Sequence, residues 1–136
     1  MPSERDLYSG VMQLANLLTR RLAPVFEKAK ITPQQWAVLS VVGESEDAIG
    51  LAAIARKLMV SKQNMTGMVA RLEDLGLVER GEDPNDLRSQ RVVLTRRGRG
   101  VVDKLRPAYA EFLAAVDEGG LARAIDRLIE DLDRAG

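Results

Sequence analysis

The sequence predicts a mainly α-helical chain with one small β-hairpin, and three observations predict it. Apolar residues recur at spacings of three, four and seven along several segments, the period of one helical face. Two valine- and leucine-bearing runs, residues 77–80 and 91–94, flank a polar stretch containing Asp83-Pro84-Asn85-Asp86, the pattern of a hairpin with a long loop. Helix start and stop signals fall between the periodic segments: Thr32-Pro33 ahead of one, Ser61 ahead of another, Gly76 after it, and Gly119-Gly120 near the end.

Each element follows from its residues. Leu7, Val11, Leu14, Leu18, Leu22 and Val25 form one stripe, widened by Tyr8, Met12, Ala15 and Phe26; they predict a long helix over residues 4–29, bent at Pro24. Thr32-Pro33-Gln34-Gln35 starts a second helix: threonine caps, proline suits the first position, and Gln35 completes a capping box. Trp36, Val38, Leu39, Val41 and Val42 supply its apolar face, Gly43 begins its exit, and Glu44-Ser45-Glu46-Asp47 reads as a solvated loop. Residues 51–58 predict a short helix with Leu51, Ile54, Ala55 and Leu58 on one side. Met59-Val60 turns the chain. Ser61 then caps a helix running to Leu75, with Met65, Met68, Val69, Leu72 and Leu75 inward and Gly76 as terminator. Residues 77–80 and 91–94 are the hairpin strands, and 81–90 the polar turn. Thr95 caps a helix lined by Val101, Leu105, Tyr109, Phe112 and Val116, which Pro107 kinks or splits. Leu121, Ile125, Leu128, Ile129 and Leu132 mark the last helix.

The totals narrow the function classes. A chain of 136 residues fits one domain and can bury a core. It has no run approaching the ~20 apolar residues of a membrane helix, and a charged N-terminus unlike a signal peptide, so a cytoplasmic protein with no membrane partner is expected. With no cysteine, disulfides, thiol redox sensing and cysteine zinc sites are excluded; with no histidine, the commonest general base and transition-metal ligand are missing. No calcium-loop pattern appears, so neither metal nor cofactor is expected. Net charge is zero, but between Gly50 and Arg97 nine lysines and arginines meet six acidic residues, a local +3 balanced by −3 elsewhere.

Two short helices joined by a tight turn and followed by a hairpin make a winged helix-turn-helix. The major groove of B-DNA admits one α-helix; the first short helix braces the second, whose N-terminal residues meet base edges, while the hairpin reaches toward the minor groove. The residues of the second helix suit that task. Ser61 caps it and can donate to a phosphate, Lys62 brings a point charge, and Gln63 and Asn64 can each pair in bidentate fashion with adenine from the first turn. Thr66 offers a hydroxyl and a methyl, and Arg71 is placed for a phosphate or for an internal salt bridge with Glu73 or Asp74. Gly67 costs about 1 kcal/mol in a helix interior and has two readings, close packing of two helices or close approach of DNA. On the wing, Arg88 and Arg91 are candidates for a narrow minor groove, with Asp86 holding Arg88, against the plain reading of exposed surface pairs.

Leu58-Met59-Val60-Ser61-Lys62-Gln63-Asn64-Met65-Thr66-Gly67-Met68-Val69-Ala70-Arg71-Leu72-Glu73 resembles the recognition segment of MarR-family regulators. Gly76-Leu77-Val78-Glu79-Arg80 resembles the family's approach to the wing. Asp83-Pro84-Asn85-Asp86-Leu87-Arg88-Ser89, then Val93-Leu94-Thr95 and Gly98-Arg99, resemble its wing signature, and residues 31–39 its second helix. The resemblance covers nearly the whole chain in order. It implies a homodimer with interlocking N- and C-terminal helices (1–30 and 100–136) around a DNA-binding region (31–99). It also implies a repressor of a near-palindromic operator, released by a small aromatic or phenolic ligand. It places Ser61, Lys62, Gln63, Asn64, Thr66, Arg71, Asp86 and Arg88 at DNA. The chain departs from the family in Leu87, where a basic residue is common, and in lacking the cysteine of the peroxide-sensing branch and the histidines of the metal-sensing one.

Independently of the resemblance, the terminal apolar stripes are longer than a monomer of this size readily covers, which points to an interface; an internal bundle is the other reading. A winged helix used only for protein contacts is the alternative function, but exposed amides at a helix start suit base edges better than a protein face built on Tyr, Trp or Arg anchors. An enzyme needs a nucleophile with a base or paired carboxylates in a cleft; Glu44, Glu46 and Asp47, and Glu82, Asp83 and Asp86, fall in loops where solvation is their expected role. Of the aromatics Tyr8, Phe26, Trp36, Tyr109 and Phe112, most are expected to pack in the core rather than line a ligand pocket.

Overall fold

Asp6 opens the first helix: its carboxylate accepts the backbone N–H of Ser9 at 2.9 Å, and that bond holds its carboxyl below the usual range. Helix α1 then runs Leu7–Glu27 and stops as the Phe26 carbonyl takes the N–H groups of Ala29 and Ile31, with Lys30 in the left-handed region (φ 60°). The structure, a computed structural model, describes residues 6–117 and 119–135, without the side chains of 86–89. The expected helix over 4–29 is thus shorter at both ends, with 4 and 5 outside the described residues, and it continues past Pro24 to Glu27.

Helix α2 spans Pro33–Glu44 and has the expected capping box: Thr32 Oγ1 accepts the Gln35 N–H at 3.1 Å, and Gln35 Oε1 accepts the Thr32 N–H at 2.9 Å. A two-residue strand β1 (Ile49–Gly50) leads into α3 (Leu51–Lys57), and α4 follows at Lys62–Asp74. Gly76, at φ 76°, terminates α4 in the conformation that favours glycine. Strands β2 (Val78–Asp83) and β3 (Asp86–Leu94) form the hairpin, and β1 adds on the far side of β3, giving an antiparallel order β1-β3-β2.

Two expectations about this sheet are corrected. The third strand escapes sequence reading because two residues, pairing Ile49 with Val92 and Gly50 with Arg91, carry no periodic signal. The polar loop expected over 81–90 is mostly strand: Gly81 pairs with Arg91 and Glu82 with Gln90, leaving Pro84 and Asn85 as the turn. Gly81, Glu82 and Gln90 are exposed, so no apolar alternation announces the pairing.

The chain falls into two compact units, residues 1–105 and 106–136. The core of the first contains Phe26, Leu39, Ile54, Met65, Val69, Leu72, Val78, Val92 and Val102, with the Phe26 and Trp36 rings stacked at 5.2 Å. Phe26 and Trp36 are therefore core, whereas Tyr8 is exposed and Tyr109 and Phe112 are half-buried. Of the residues expected inward on α4, Met68 is only half-buried and Leu75 is exposed, because Leu75 caps the helix rather than continuing its inner face.

Helix α5 (Arg96–Val116) starts at a junction with the end of α4. The Thr95 hydroxyl donates to the Gly76 carbonyl at 2.7 Å and accepts the Gly98 N–H at 2.9 Å, while the Thr95 N–H bonds to the Leu77 carbonyl. Pro107 lies inside α5 and does not split it, contrary to one of the two outcomes expected there. In the second unit Asp117 accepts the N–H groups of Leu121 and Ala122, and α6 (Leu121–Ala135) follows, with Leu121, Ile125, Ile129 and Leu132 exposed along one face. Among the described residues no helix is long and apolar enough to cross a membrane.

Candidate nucleic-acid interface

Helix α3 is short and apolar on one side, burying Leu51, Ile54 and Ala55, and so is fixed to the core. The turn after it places Met59 in the left-handed region (φ 56°), and the chain re-enters helix at Ser61. Ser61 Oγ accepts the Asn64 N–H at 3.1 Å; the same hydroxyl can still donate outward. Helix α4 buries Met65, Val69 and Leu72 and leaves the opposite face polar. Its first turn holds no acid and begins with exposed Lys62, so the lysine adds to the positive end of the helix dipole and the tip favours an anion.

The polar face has a shape. Val60, Gln63, Asn64, Gly67, Met68 and Arg71 line one open groove of about 490 Å³. Gln63, Asn64, Gly67 and Arg71 are exposed, and their spacing sets them on successive turns of one helix face. Thr66 is exposed too, but its hydroxyl donates to the Lys62 carbonyl at 2.9 Å, which commits its proton within the helix and leaves its methyl and lone pairs for a partner. At Gly67 an added Cβ meets nothing within 4 Å, so no other helix among the described residues of this chain packs closely against it.

The wing residues are placed differently. Arg91 does not line the α4 groove; its Nε lies 3.4 Å from Asp83 Oδ2, and Asp83 Oδ1 accepts the Asn85 N–H at 2.9 Å. Asp83 therefore organises the tip of the wing and holds Arg91. The side chains of Asp86 and Arg88, and so the pairing expected between them, lie outside the described residues.

Glu73 was one of two acids available to Arg71, but it bonds to Arg80 of β2 instead. Arg80 Nε and Nη2 donate to Glu73 Oε1 at 3.1 and 2.9 Å, and the Arg80 backbone N–H donates to Oε2 at 3.3 Å. These bonds hold the Glu73 carboxyl below its ordinary value. Sequence reasoning missed Glu73, Arg80 and Asp83 as organisers of the interface. A signal existed for the first pair, since Gly76 reverses the chain between them and brings the strand back along the helix.

A sequence model of the MarR family matches residues 29–89, from the approach to α2 through most of the wing. The transcriptional activatory protein BadR of Rhodopseudomonas palustris is 34% identical over 134 residues, which cover 93% of this chain and 77% of BadR. Among solved structures, reduced AbfR bound to DNA superposes with a TM-score of 0.81 at 24% identity, covering 96% of this chain and 91% of that one. NadR in complex with 4-hydroxyphenylacetate superposes with a TM-score of 0.73 at 26% identity, covering 99% and 94%. The likeness runs through both sequence and fold, and on it the chain belongs to the MarR family: it is a winged-helix transcriptional regulator and not an enzyme.

Proposed function

We propose that this regulator acts in the cytoplasm as a homodimer on double-stranded DNA. Each copy lays α4 in the major groove of one half of a near-palindromic operator, represses by occupying it, and lets go when a small aromatic or phenolic ligand binds. The observation that carries the reading is the α4 groove, where two amides, a glycine and an arginine share one exposed face above a buried one. Ser61 and Lys62 at the helix tip contact phosphate; Gln63 and Asn64 read adenine; Thr66 presents its methyl; Gly67 permits close approach; Arg71 holds the backbone. On the wing, Arg88 and Arg91 reach the minor groove, with Asp86 and Asp83 as their respective holders.

The dimer is supported by the apolar residues left exposed on the terminal helices: Leu7, Val11, Leu14 and Leu17 on α1, and Leu121, Ile125, Ile129 and Leu132 on α6. Residues 1–30 and 100–136 hold the copies together, and 31–99 read DNA. AbfR, of the same fold, is a DNA-bound structure, and NadR holds an aromatic acid, which supports the operator and the ligand class respectively. BadR is named an activator; the same grip represses where the operator overlaps the promoter.

The test is a titration of the purified protein against its own promoter region and against random DNA over a salt series. Tight binding to the promoter, falling linearly in log K with log salt, and release by an aromatic acid such as 4-hydroxyphenylacetate support the reading. Equal affinity for both duplexes at every salt concentration overturns it.

A further inference from the structure

Gly67 is the sixth residue of the 13-residue helix α4, a position where glycine is among the poorest helix formers. Three reasons within a protein ordinarily keep glycine there, and none applies. Its backbone does not take the positive φ seen at Gly76 and Gly120. No neighbour presses on it: an added Cβ meets nothing within 4 Å, whereas at Gly98 it would lie 2.0 Å from the Leu77 carbonyl oxygen. Nor does it end the helix, which continues to Asp74. The missing side chain therefore answers to something that docks on the outer face. There it leaves a notch one turn beyond Gln63 and Asn64 and one turn before Arg71, beside Val60 and Met68.

Resting on the reading of α4 as the element in the major groove, we propose that Gly67 is a specificity-determining residue whose notch receives the C5-methyl of a thymine. Gln63 and Asn64 are adenine readers by chemistry, pairing with N6 and N7. The partner of every adenine is thymine, and its methyl is the one apolar group that projects from that pair into the major groove. A helix that reads adenines with two adjacent amides must make room for the methyls beside them. A Cβ at position 67 takes that room, and Val60 and Met68 give the notch apolar walls.

The test uses the full-length protein and a duplex that the wild type enriches from a randomised pool. A set of the same duplexes carries deoxyuridine for thymidine at one step per half-site, which removes only the methyl. Gly67→Ala raises the thermal midpoint by roughly 2–8 °C, because the Cβ is unobstructed and the helix gains propensity. It nevertheless binds the thymine duplex roughly tenfold or more weakly at fixed salt, and one of the uracil duplexes restores it to near wild-type affinity. A purely structural role moves stability and binding in the same direction. The proposal is overturned if Gly67→Ala binds the thymine duplex as tightly as wild type, or stays equally weak on every uracil duplex. If wild type enriches no sequence, or Gln63→Ala keeps full sequence preference, the reading of α4 itself falls and this proposal with it.

Discussion

Glu73, in the last turn of α4, and Arg80, on β2, tie the groove-lining helix to the root of the wing through three bonds to one carboxylate. The contact joins the two elements that this account brings to DNA. Both side chains are partly exposed, at 37% and 26%, so its worth lies in geometry more than in raw Coulomb attraction.

That geometry predicts a pH signature. The Glu73 carboxyl in the fold sits below its ordinary value of 4.5 because Arg80 bonds the charged form, so the stabilisation is fully present above that value. It is lost as pH falls through the lower, folded-state value. Glu73→Gln should be less stable than wild type at neutral pH, with the gap closing only below 4.5. Urea denaturation of both proteins across acidic pH checks this; a gap that persists unchanged in acid removes the ion pair as its cause.

The sequence discloses local chemistry here better than chain reversal. Thr32, Ser61, Gly76 and Thr95 are caps or terminators whose capping contacts lie within a few residues, and each is used as its position implies, although Thr95 also reaches back to Gly76 and Leu77, which no local pattern announces. The polar row from Ser61 to Arg71 is legible for the same reason, because helix periodicity alone sets it on one face. What escaped depends on residues brought together across turns: Arg80 returning to Glu73, Asp83 reaching Arg91, and Ile49 joining Val92. The inner halves of the wing strands, 78–80 and 91–94, are legible, but their outer parts read as loop because Gly81, Glu82 and Gln90 are polar or small and exposed, so pairing there leaves no apolar pattern.

Gly98 offers a stability prediction opposite in sign to that for Gly67. A Cβ there would lie 2.0 Å from the Leu77 carbonyl oxygen and 2.9 Å from its carbon, both backbone atoms held by the Thr95 junction. Gly98→Ala should cost about 3 kcal/mol or more, or prevent folding. Chemical denaturation, or recovery of soluble protein, reads this out; a midpoint equal to wild type would mean the junction yields freely.

Ser61 separates capping from charge. Ser61→Ala removes the acceptor for the Asn64 N–H and should cost about 1 kcal/mol of stability. Ser61→Asp keeps the cap and the stability but sets a negative charge against phosphate, so DNA affinity should drop by about tenfold or more at low salt. Thermal melts alongside binding assays distinguish the two. An Asp variant that binds like wild type would place the helix tip away from the backbone.

The exposed stripes on α1 and α6 predict assembly. Sedimentation should give twice the chain mass of 15.0 kDa, and Ile129→Glu, which sets a charge on the exposed α6 face, should shift the protein toward monomer. A wild-type monomer at all concentrations contradicts the dimer.

The most direct measurement is the ratio of affinities for the operator and for a scrambled duplex of equal length, at one salt concentration, for wild type, Gln63→Ala and Asn64→Ala. If the two amides read bases, each substitution should remove about 1–3 kcal/mol from binding to the operator while leaving the scrambled duplex nearly unchanged, so the ratio collapses. Equal losses on both duplexes would make the amides backbone contacts and contradict the account.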